Sequence, residues 1–211
     1  MLLLLIRHGL TDHVGMRLSG WMSGVRLSSY GTEQARSLVT RLDGLPIDAV
    51  YSSPLDRARE TAAPLARARK LRVRERDELG EVHYGGIEGK SLKVLAKSKM
   101  WKRLQAWPSD VRFPGGESLR ETQARAVGAI ETLREQHVDQ TVAVVSHGDF
   151  IRLALAHYLG THIDLYRRIT VDPASVSAVL FTEYMPVIRC MNDTGVLSSF
   201  ALTKSNAKGR R

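Results

Sequence analysis

The sequence predicts an α/β fold in three layers (α/β/α), with a mostly parallel central sheet, helices on both faces and a helical insertion over the carboxyl edge of the sheet. An uninterrupted apolar run at residues 2–6 is typical of a strand that is buried on both faces. A second run of the same kind, at 142–145, also leads to a histidine followed by a glycine. The segments between the two runs alternate between helical and strand-like patterns, which favours a sheet covered by helices.

The length of 211 residues suits one α/β domain with an inserted segment. We predict a single domain over residues 1–203, with a helical insertion at about 89–115 and a disordered basic tail at 204–211. The only cysteine, Cys190, has no partner for an intramolecular disulfide, which fits a reducing, cytoplasmic setting. The apolar runs are too short to span a membrane, and the apolar start of the chain is too brief for a signal peptide.

The net charge of +9, from 31 basic and 22 acidic residues, biases the surface field towards anionic partners. The basic residues concentrate at 67–76, 90–103 and 204–211, and no motif that reads DNA or RNA accompanies them. We therefore interpret them as solvated surface and expect no specific nucleic-acid partner.

Local patterns predict the elements of the first half of the chain. Apolar residues at helical spacing predict a helix over residues 30–42, and residues 48–51 are predicted to form a second strand. The next helix is predicted to begin with Ser53 as its N-cap and Pro54 at its first position, where the missing N–H costs nothing. Residues 71–75 are interpreted as an edge strand with basic side chains.

The second half begins with a glycine-rich loop at 79–89, where glycines permit close approach of the backbone. A lysine-rich helical stretch at 90–107 is interpreted as a lid over the carboxyl edge of the sheet. Ser118 and Glu121 form the capping box of a long helix. The remaining predicted elements are a helix at 151–159 and strands at 175–181 and 186–191.

Two histidines are expected to meet at one edge of the sheet. If the two apolar strands are parallel neighbours, His8 and His147 face each other in the crevice outside their carboxyl ends, where α/β proteins bind ligands. Either histidine alone could simply form a hydrogen bond to the backbone at the end of its strand. Two strands that each end in a His-Gly pair favour one shared site. Arg7 lies beside His8, and Arg57 lies about one turn into a helix whose N-terminal amides attract anions. Arg57 could instead be a surface residue, a role that is also open to Arg59.

These side chains suit a tetrahedral dianion, and a phosphoryl group is the expected ligand. A neutral imidazole with one nitrogen fixed by a backbone hydrogen bond can act as a nucleophile through the other, which makes His8 the candidate. Arg7, Arg57 and a protonated His147 would neutralise charge on the transferring oxygens, as magnesium does in other phosphoryl-transfer sites. Glu81 could protonate the leaving group and then activate water, provided that its pKa is raised.

Several motifs, in this order within residues 2–160, resemble the histidine phosphatase superfamily, also called the phosphoglycerate mutase-like family. They are Arg7-His8-Gly9, the Ser-Pro-Leu-Asp-Arg-Ala run at 53–58, Glu81 with the Gly-Gly-Ile-Glu-Gly run at 85–89, the Pro-Gly-Gly-Glu-Ser run at 114–118, and Ser146-His147-Gly148. The resemblance implies a phosphoglycerate mutase-like fold and phosphorylation of His8. It also implies that Arg7, Arg57 and His147 complete the phosphate pocket and that Glu81 is the proton donor.

The nearest resemblance is to a branch labelled phosphomutase, through the segments 101–102, 108–118 and 171–177. The family often has an acid directly after the Arg-His-Gly motif and an asparagine four residues further on. Leu10 and Val14 stand there instead, so one hydrogen bond of the pocket is expected to be missing. The segment 20–25 lacks the aspartate that is frequent in mutases, and the chain is shorter than typical phosphoglycerate mutases. The last two differences favour hydrolysis.

We therefore predict a metal- and cofactor-independent phosphatase that hydrolyses a small phosphorylated metabolite through a phosphohistidine intermediate. A phosphomutase, which returns the phosphoryl group to a second hydroxyl, is the first alternative. A catalytically silent protein that binds phosphoryl groups or nucleic acid is the second. The oligomeric state is left open, with a homodimer as one option. The residues predicted to contact the rest of the substrate are Ser19, Gly20, Trp21, His83 and Tyr84.

Overall fold

The computed structural model describes residues 1–195, so the predicted domain end at 203 and the predicted tail at 204–211 lie outside the described residues. A six-stranded sheet has the strand order β3-β2-β4-β1-β5-β6. Its strands are β1 (Leu2–Arg7), β2 (Ala49–Ser52), β3 (Val73–Glu75), β4 (Thr141–Ser146), β5 (Val176–Phe181) and β6 (Pro186–Asp193).

Six α-helices accompany the sheet in the described part of the chain. They are α1 (Ser29–Arg41), α2 (Asp56–Ala68), α3 (Leu92–Leu95), α4 (Lys99–Ala106), α5 (Leu119–Gln136) and α6 (Gly148–Tyr158). Short 3-10 segments cover Asp77–Leu79, Gly85–Ile87, Pro108–Asp110 and Ile163–Arg168. Among residues 1–195, no helix combines the length and the apolar character that a membrane span requires.

The sheet is mostly parallel, as predicted. Strand β1 pairs in parallel with β4, and Arg7 lies opposite Ser146. Strand β2 pairs in parallel with both β3 and β4, whereas β5 and β6 form an antiparallel extension beside β1. Because β1 and β4 end at the same level, the residues that follow them, His8 and His147, emerge side by side at the carboxyl edge.

Alternate residues of each strand point to opposite faces of the sheet, and both faces are covered. Leu3 and Leu5 of β1 belong to the core cluster that includes buried residues of α5 and α6. Leu4 and Ile6 belong to the opposite cluster, with buried residues of α1 and α2. This arrangement confirms the predicted three-layer α/β/α fold, and it explains why the strand at 2–6 is apolar throughout.

Helix α2 begins later than the sequence predicts. Its N-cap is Leu55, which makes no side-chain capping bond, and Ser53 and Pro54 lie in the turn before it. The Ser53 hydroxyl accepts a hydrogen bond from the Leu55 N–H at 3.3 Å and bonds to Nε2 of His147 at 2.7 Å. The prediction of Ser53 as the N-cap is therefore wrong, because its hydroxyl serves the turn and the histidine.

The predicted insertion consists of α3, α4 and the short Pro108–Asp110 segment. It contacts the body of the protein through Ser109, whose N–H donates to Oδ1 of Asp164 at 2.7 Å. The chain then enters α5 through the predicted capping box, in which the Ser118 hydroxyl accepts from the Glu121 N–H and the Glu121 carboxylate accepts from the Ser118 N–H. This confirms the start of the long helix.

Candidate active site

A cavity of about 190 Å³ opens at the carboxyl edge of the sheet. The loop after β1, the start of α2, the glycine-rich loop, the insertion, the start of α6 and the 3-10 segment Ile163–Arg168 all contribute to its lining. Another cavity, of about 240 Å³, lies beside α5 and is lined by none of the residues that the sequence singles out as catalytic. The chemistry is therefore assigned to the cavity at the sheet edge.

His8 is held in one orientation at the end of β1. Only 5% of the residue is exposed, and Nδ1 lies 2.7 Å from the carbonyl oxygen of Gly9. A carbonyl only accepts, so Nδ1 carries the proton and Nε2 keeps its lone pair. A side chain at Gly9 would place its Cβ 2.6 Å from the carbonyl oxygen of Gly31, so this turn requires glycine. Burial, with help from Arg57 and Arg7, lowers the pKa of His8 well below its usual value, which keeps the imidazole neutral.

Two arginines flank His8 with donors that have no protein partner. Arg7 donates from Nη1 to the carbonyl oxygen of Val171 at 2.7 Å, and Arg57 donates from Nη2 to that of Gly20 at 2.7 Å. In the described part of the chain, Nε of Arg7 and Nη1 of Arg57 are buried without a hydrogen-bond partner. Buried donors are normally satisfied, so these two atoms favour an anionic ligand.

His147 is fully buried beside His8, with 5.2 Å between the ring centres. The Ser53 hydroxyl already accepts from Leu55, so its own hydrogen is available for Nε2 of His147. If Ser53 donates this hydrogen, the imidazole proton lies on Nδ1, which is buried without a hydrogen-bond partner among residues 1–195. Burial and Arg57 lower the pKa of His147 well below its usual value. The lowered pKa favours a neutral ring in this structure, and protonation of His147 with a bound phosphoryl group stays a prediction.

Glu81 is buried near the start of the glycine-rich loop, two residues after the 3-10 segment Asp77–Leu79. Its Oε1 accepts from the backbone N–H groups of Val82 at 3.0 Å and Phe150 at 3.2 Å, and no hydrogen bond within residues 1–195 involves Oε2. Burial raises the pKa of Glu81, and the charge of Asp149 raises it further, against the opposing effect of the Val82 N–H and of nearby Arg57. A raised pKa is what a general acid near neutral pH requires.

The backbone of Glu81 is fixed from the other side. Its carbonyl oxygen accepts from Nε1 of Trp21 at 2.6 Å and from Nη2 of Arg125 at 3.0 Å. Arg125 is in turn paired with Glu117, at 2.8 Å between Nη2 and Oε2. Glu117 belongs to the Pro-Gly-Gly-Glu-Ser motif, and its contacts explain how that motif supports the acid without touching the cavity.

The five residues predicted to contact the rest of the substrate fall into two groups in the structure. Ser19, Gly20 and Tyr84 line the cavity, whereas Trp21 and His83 do not. The rings of Trp21 and His83 stack on each other, with 4.2 Å between centres and 9° between planes. Their contact joins two loops behind Glu81, a role that neither loop reveals by itself in the sequence.

Other side chains of the cavity are absent from the sequence prediction. Arg152 lies one turn into α6 and pairs with Asp149 at 2.9 Å, so the reasoning that selects Arg57 near a helix start could have found it. Arg17, Trp101 and Arg167 have no such signal, because they come from separate loops and from the insertion. We call these last three residues the lid wall.

A second group of residues, at the sheet edge, is called the catalytic floor. It consists of Arg7, His8, Arg57 and Glu81, which line the cavity, and of His147, which lies beside His8 but does not line the cavity. The floor combines a neutral nucleophile, three buried nitrogens without a hydrogen-bond partner in the described part of the chain, and a carboxyl group with a raised pKa. Such a set can bind a tetrahedral dianion, accept a phosphoryl group on nitrogen and supply a proton to the departing oxygen.

Comparisons with known proteins agree with this chemistry. The model of the histidine phosphatase superfamily (branch 1) matches residues 3–194. Phosphoserine phosphatase 1 of Hydrogenobacter thermophilus is 32% identical over 200 residues, which cover 94% of this chain and 95% of that protein. The Escherichia coli protein named "Probable phosphoglycerate mutase GpmB" is 30% identical over 181 residues, which cover 85% and 84%.

A solved structure is similar over the same length. The α-ribazole phosphatase of Shigella flexneri superimposes with a TM-score of 0.83 and 28% sequence identity, covering 93% of this chain and 98% of the other. Together with the match over residues 3–194, these similarities settle the family. The chain belongs to the histidine phosphatase superfamily (branch 1).

Proposed function

We propose that this phosphatase hydrolyses small phosphomonoesters in two steps, through a phosphoryl group carried on Nε2 of His8. The observation that carries the proposal is a set of three buried nitrogens beside His8 that lack a hydrogen-bond partner among residues 1–195: Nε of Arg7, Nη1 of Arg57 and Nδ1 of His147. A phosphoryl group on His8 would supply the missing acceptor oxygens. Relatives named for phosphoserine and for α-ribazole support a small phosphorylated substrate.

In the first step, the lone pair of His8 Nε2 attacks phosphorus and the bond from phosphorus to the ester oxygen breaks. Arg7, Arg57 and His147 stabilise charge on the three transferring oxygens, and removal of one such donor typically costs about 3–4 kcal/mol of barrier. The leaving oxygen takes the proton of the Glu81 carboxyl group and departs as an alcohol. The Nδ1–H bond to Gly9 persists and stabilises the phosphoimidazolium.

In the second step, the Glu81 carboxylate removes a proton from water as the water oxygen attacks phosphorus. The bond from phosphorus to Nε2 breaks, its electron pair returns to the ring, and inorganic phosphate leaves. Glu81 is again protonated and His8 is again neutral. Each group used in the two steps is a protein side chain, so the proposed reaction needs neither a metal nor a cofactor. We also propose a cytoplasmic location, on the basis of the single cysteine.

A phosphomutase reaction is the second candidate, because a relative that is 30% identical carries a mutase name. The two reactions share the first step and differ in the acceptor of the second, which is water for a phosphatase and a hydroxyl of the bound metabolite for a mutase. The loop at 20–25, which lacks the aspartate frequent in mutases, favours water as the acceptor.

Product analysis tests the proposal. With a panel of phosphomonoesters that includes p-nitrophenyl phosphate and 3-phosphoglycerate, we expect release of inorganic phosphate, and we expect His8→Ala to lower it by about 10⁴-fold or more. His157→Ala, at an exposed histidine, should retain wild-type activity. Isomerisation of 3-phosphoglycerate without phosphate release would establish the mutase instead. Salt-sensitive oligonucleotide binding without hydrolysis of any ester would indicate the catalytically silent alternative.

A further inference from the structure

The cavity carries more positive charge than a phosphoryl group requires. Among residues 1–195, five arginines and two carboxyl groups, Asp149 and Glu81, line it. Because Glu81 is protonated before the first step of the proposed reaction, five positive charges face one carboxylate, which is a surplus of four, and a phosphomonoester dianion offsets two of them. A cavity with an excess of positive charge attracts anionic ligands, so the excess indicates the charge of the substrate.

Three of the five arginines already have a defined role. Arg7 and Arg57 flank His8 with their unpartnered donors. Arg152 is paired with Asp149 at 2.9 Å and also donates from Nε to a backbone carbonyl at 3.0 Å. The two positive charges that the phosphate leaves over thus belong to the two arginines of the lid wall.

Arg17 and Arg167 are both exposed, and neither has a carboxylate within 4.0 Å in the described part of the chain. Arg17 donates to one carbonyl oxygen, that of Gly89, at 3.2 Å. Arg167 is held more firmly by α4. Its guanidinium carbon lies 5.9 Å from the centre of the Trp101 ring, within the range of a cation–π contact.

Gln105, also on α4, joins the two lid-wall side chains. With its amide oxygen turned towards them, Oε1 accepts from Nε1 of Trp101 at 3.3 Å and from Nη1 of Arg167 at 3.0 Å. Trp101 and Arg167 both line the cavity. A guanidinium that is already ordered loses less conformational entropy when it binds an anion, and its planar donors match a carboxylate.

We infer that Arg167, held against Trp101 by Gln105, binds a carboxylate on the leaving group of the substrate. The inference rests on the proposed phosphatase function and narrows its substrate class to phosphomonoesters of hydroxy acids. A phosphate dianion with one carboxylate carries three negative charges, so the carboxylate offsets one of the two positive charges that the phosphate alone leaves over. Arg167 would then set specificity without touching the reacting phosphorus.

Pairs of substrates that differ by the carboxylate test this inference. Phosphoserine is compared with phosphoethanolamine, and 3-phosphoglycerate with glycerol 3-phosphate, using the full chain. We expect the wild type to prefer the carboxylated member of each pair in kcat/KM by about 10- to 100-fold, the range of a charge-assisted hydrogen bond. We expect Arg167→Gln to reduce that preference by about tenfold, mainly through a higher KM for the carboxylated member.

Two further variants make the assignment specific. Arg168→Gln changes the neighbouring exposed arginine, which does not line the cavity, and should leave the preference intact. Arg17→Gln removes the other free arginine of the lid wall. If it abolishes the preference while Arg167→Gln does not, the assignment to Arg167 is overturned.

The remaining outcomes separate this inference from the proposed function. Equal kcat/KM within both pairs, with p-nitrophenyl phosphate still hydrolysed, would overturn the carboxylate inference and leave the phosphatase standing. An equal loss on both members of a pair in Arg167→Gln would reduce Arg167 to an anchor of the insertion. Hydrolysis of no phosphomonoester would overturn the proposed function, and the inference with it.

Discussion

The catalytic floor and the lid wall, on two sides of one cavity, are built in different ways. Every floor residue but Arg7 is at most 9% exposed, and each floor side chain is held by a bond to the backbone or, for His147, to the Ser53 hydroxyl. The arginines of the lid wall are exposed and come from separate segments of the chain. The floor therefore has a fixed geometry, whereas the wall depends on how the insertion packs.

This difference indicates a division of labour. Side chains that stabilise the transition state must be held rigidly where charge develops, and their loss lowers kcat. Side chains that only recognise the leaving group bind ground state and transition state alike, and their loss raises KM. We therefore expect floor variants to lower kcat and wall variants to raise KM, and a variant that does the opposite would break that rule.

After loss of His8 itself, loss of the general acid should have the largest effect on the floor. We expect Glu81→Gln to lower kcat by about 10³-fold for alkyl phosphates, whose leaving oxygen needs a proton. For the first turnover of p-nitrophenyl phosphate the loss should be small, because nitrophenolate leaves without protonation. Rapid-quench kinetics on both esters checks this. Equal first-turnover losses on both would contradict the role of Glu81.

Loss of a phosphate donor comes next. We expect Arg57→Met to lower kcat by about 10²- to 10³-fold, because it removes the buried Nη1 donor beside His8. Arg59→Met is the matched control, since Arg59 is partly exposed and pairs with Asp56 and Glu75. Steady-state kinetics with circular dichroism as a folding check measures both. A similar loss in the two variants would argue against a specific phosphate contact.

The pH profile should show the charges of the floor. Activity requires neutral His8, whose lowered pKa places the rising limb of the profile below the usual histidine pKa of 6.5. Activity also requires protonated Glu81, so it falls as the pH rises through the raised pKa of Glu81. Asp149→Asn removes a charge that raises the pKa of Glu81. The falling limb of kcat/KM against pH should therefore move to lower pH. A limb that stays in place would assign it to another group.

The smallest predicted effect belongs to the lid wall. We expect Trp101→Leu to raise KM by about three- to tenfold, the scale of a lost apolar contact, with kcat within about twofold of wild type. Trp107→Leu, at a residue of the same insertion that is 56% exposed and does not line the cavity, should change neither constant. A fall in kcat without a change in KM for Trp101→Leu would break the division between floor and wall.

The floor could be predicted from sequence because strand ends define it. The apolar runs of β1 and β4 indicate buried parallel strands, and their shared edge brings His8 and His147 together. The N-cap at Ser53 could not be predicted correctly, because the competing partner of its hydroxyl is His147, far away in the chain. The preference of serine for helix N-caps is a local property and does not include competition from a distant side chain.

The lid wall could not be predicted from the sequence for a related reason. Trp101 and Arg167 meet only because α4 packs near the Ile163–Arg168 segment, and Gln105 joins them across that contact. Trp21 and His83, which the sequence suggested for the cavity, stack on each other instead. The contacts of aromatic residues in loops depend on tertiary packing, which cannot be inferred from the spacing of these residues along the chain.

The central claim, phosphorylation of His8, is tested most directly in Glu81→Gln with p-nitrophenyl phosphate. This ester can phosphorylate the enzyme without an acid, and loss of the base for water slows the second step, so the intermediate should accumulate. Samples are quenched rapidly in alkali, which preserves a phosphohistidine, and in parallel in acid, which preserves an acyl phosphate. Peptide mass spectrometry should find one phosphoryl group on the peptide that contains His8, and only after the alkaline quench. An acid-stable phosphoryl group on a serine or an aspartate would contradict the account.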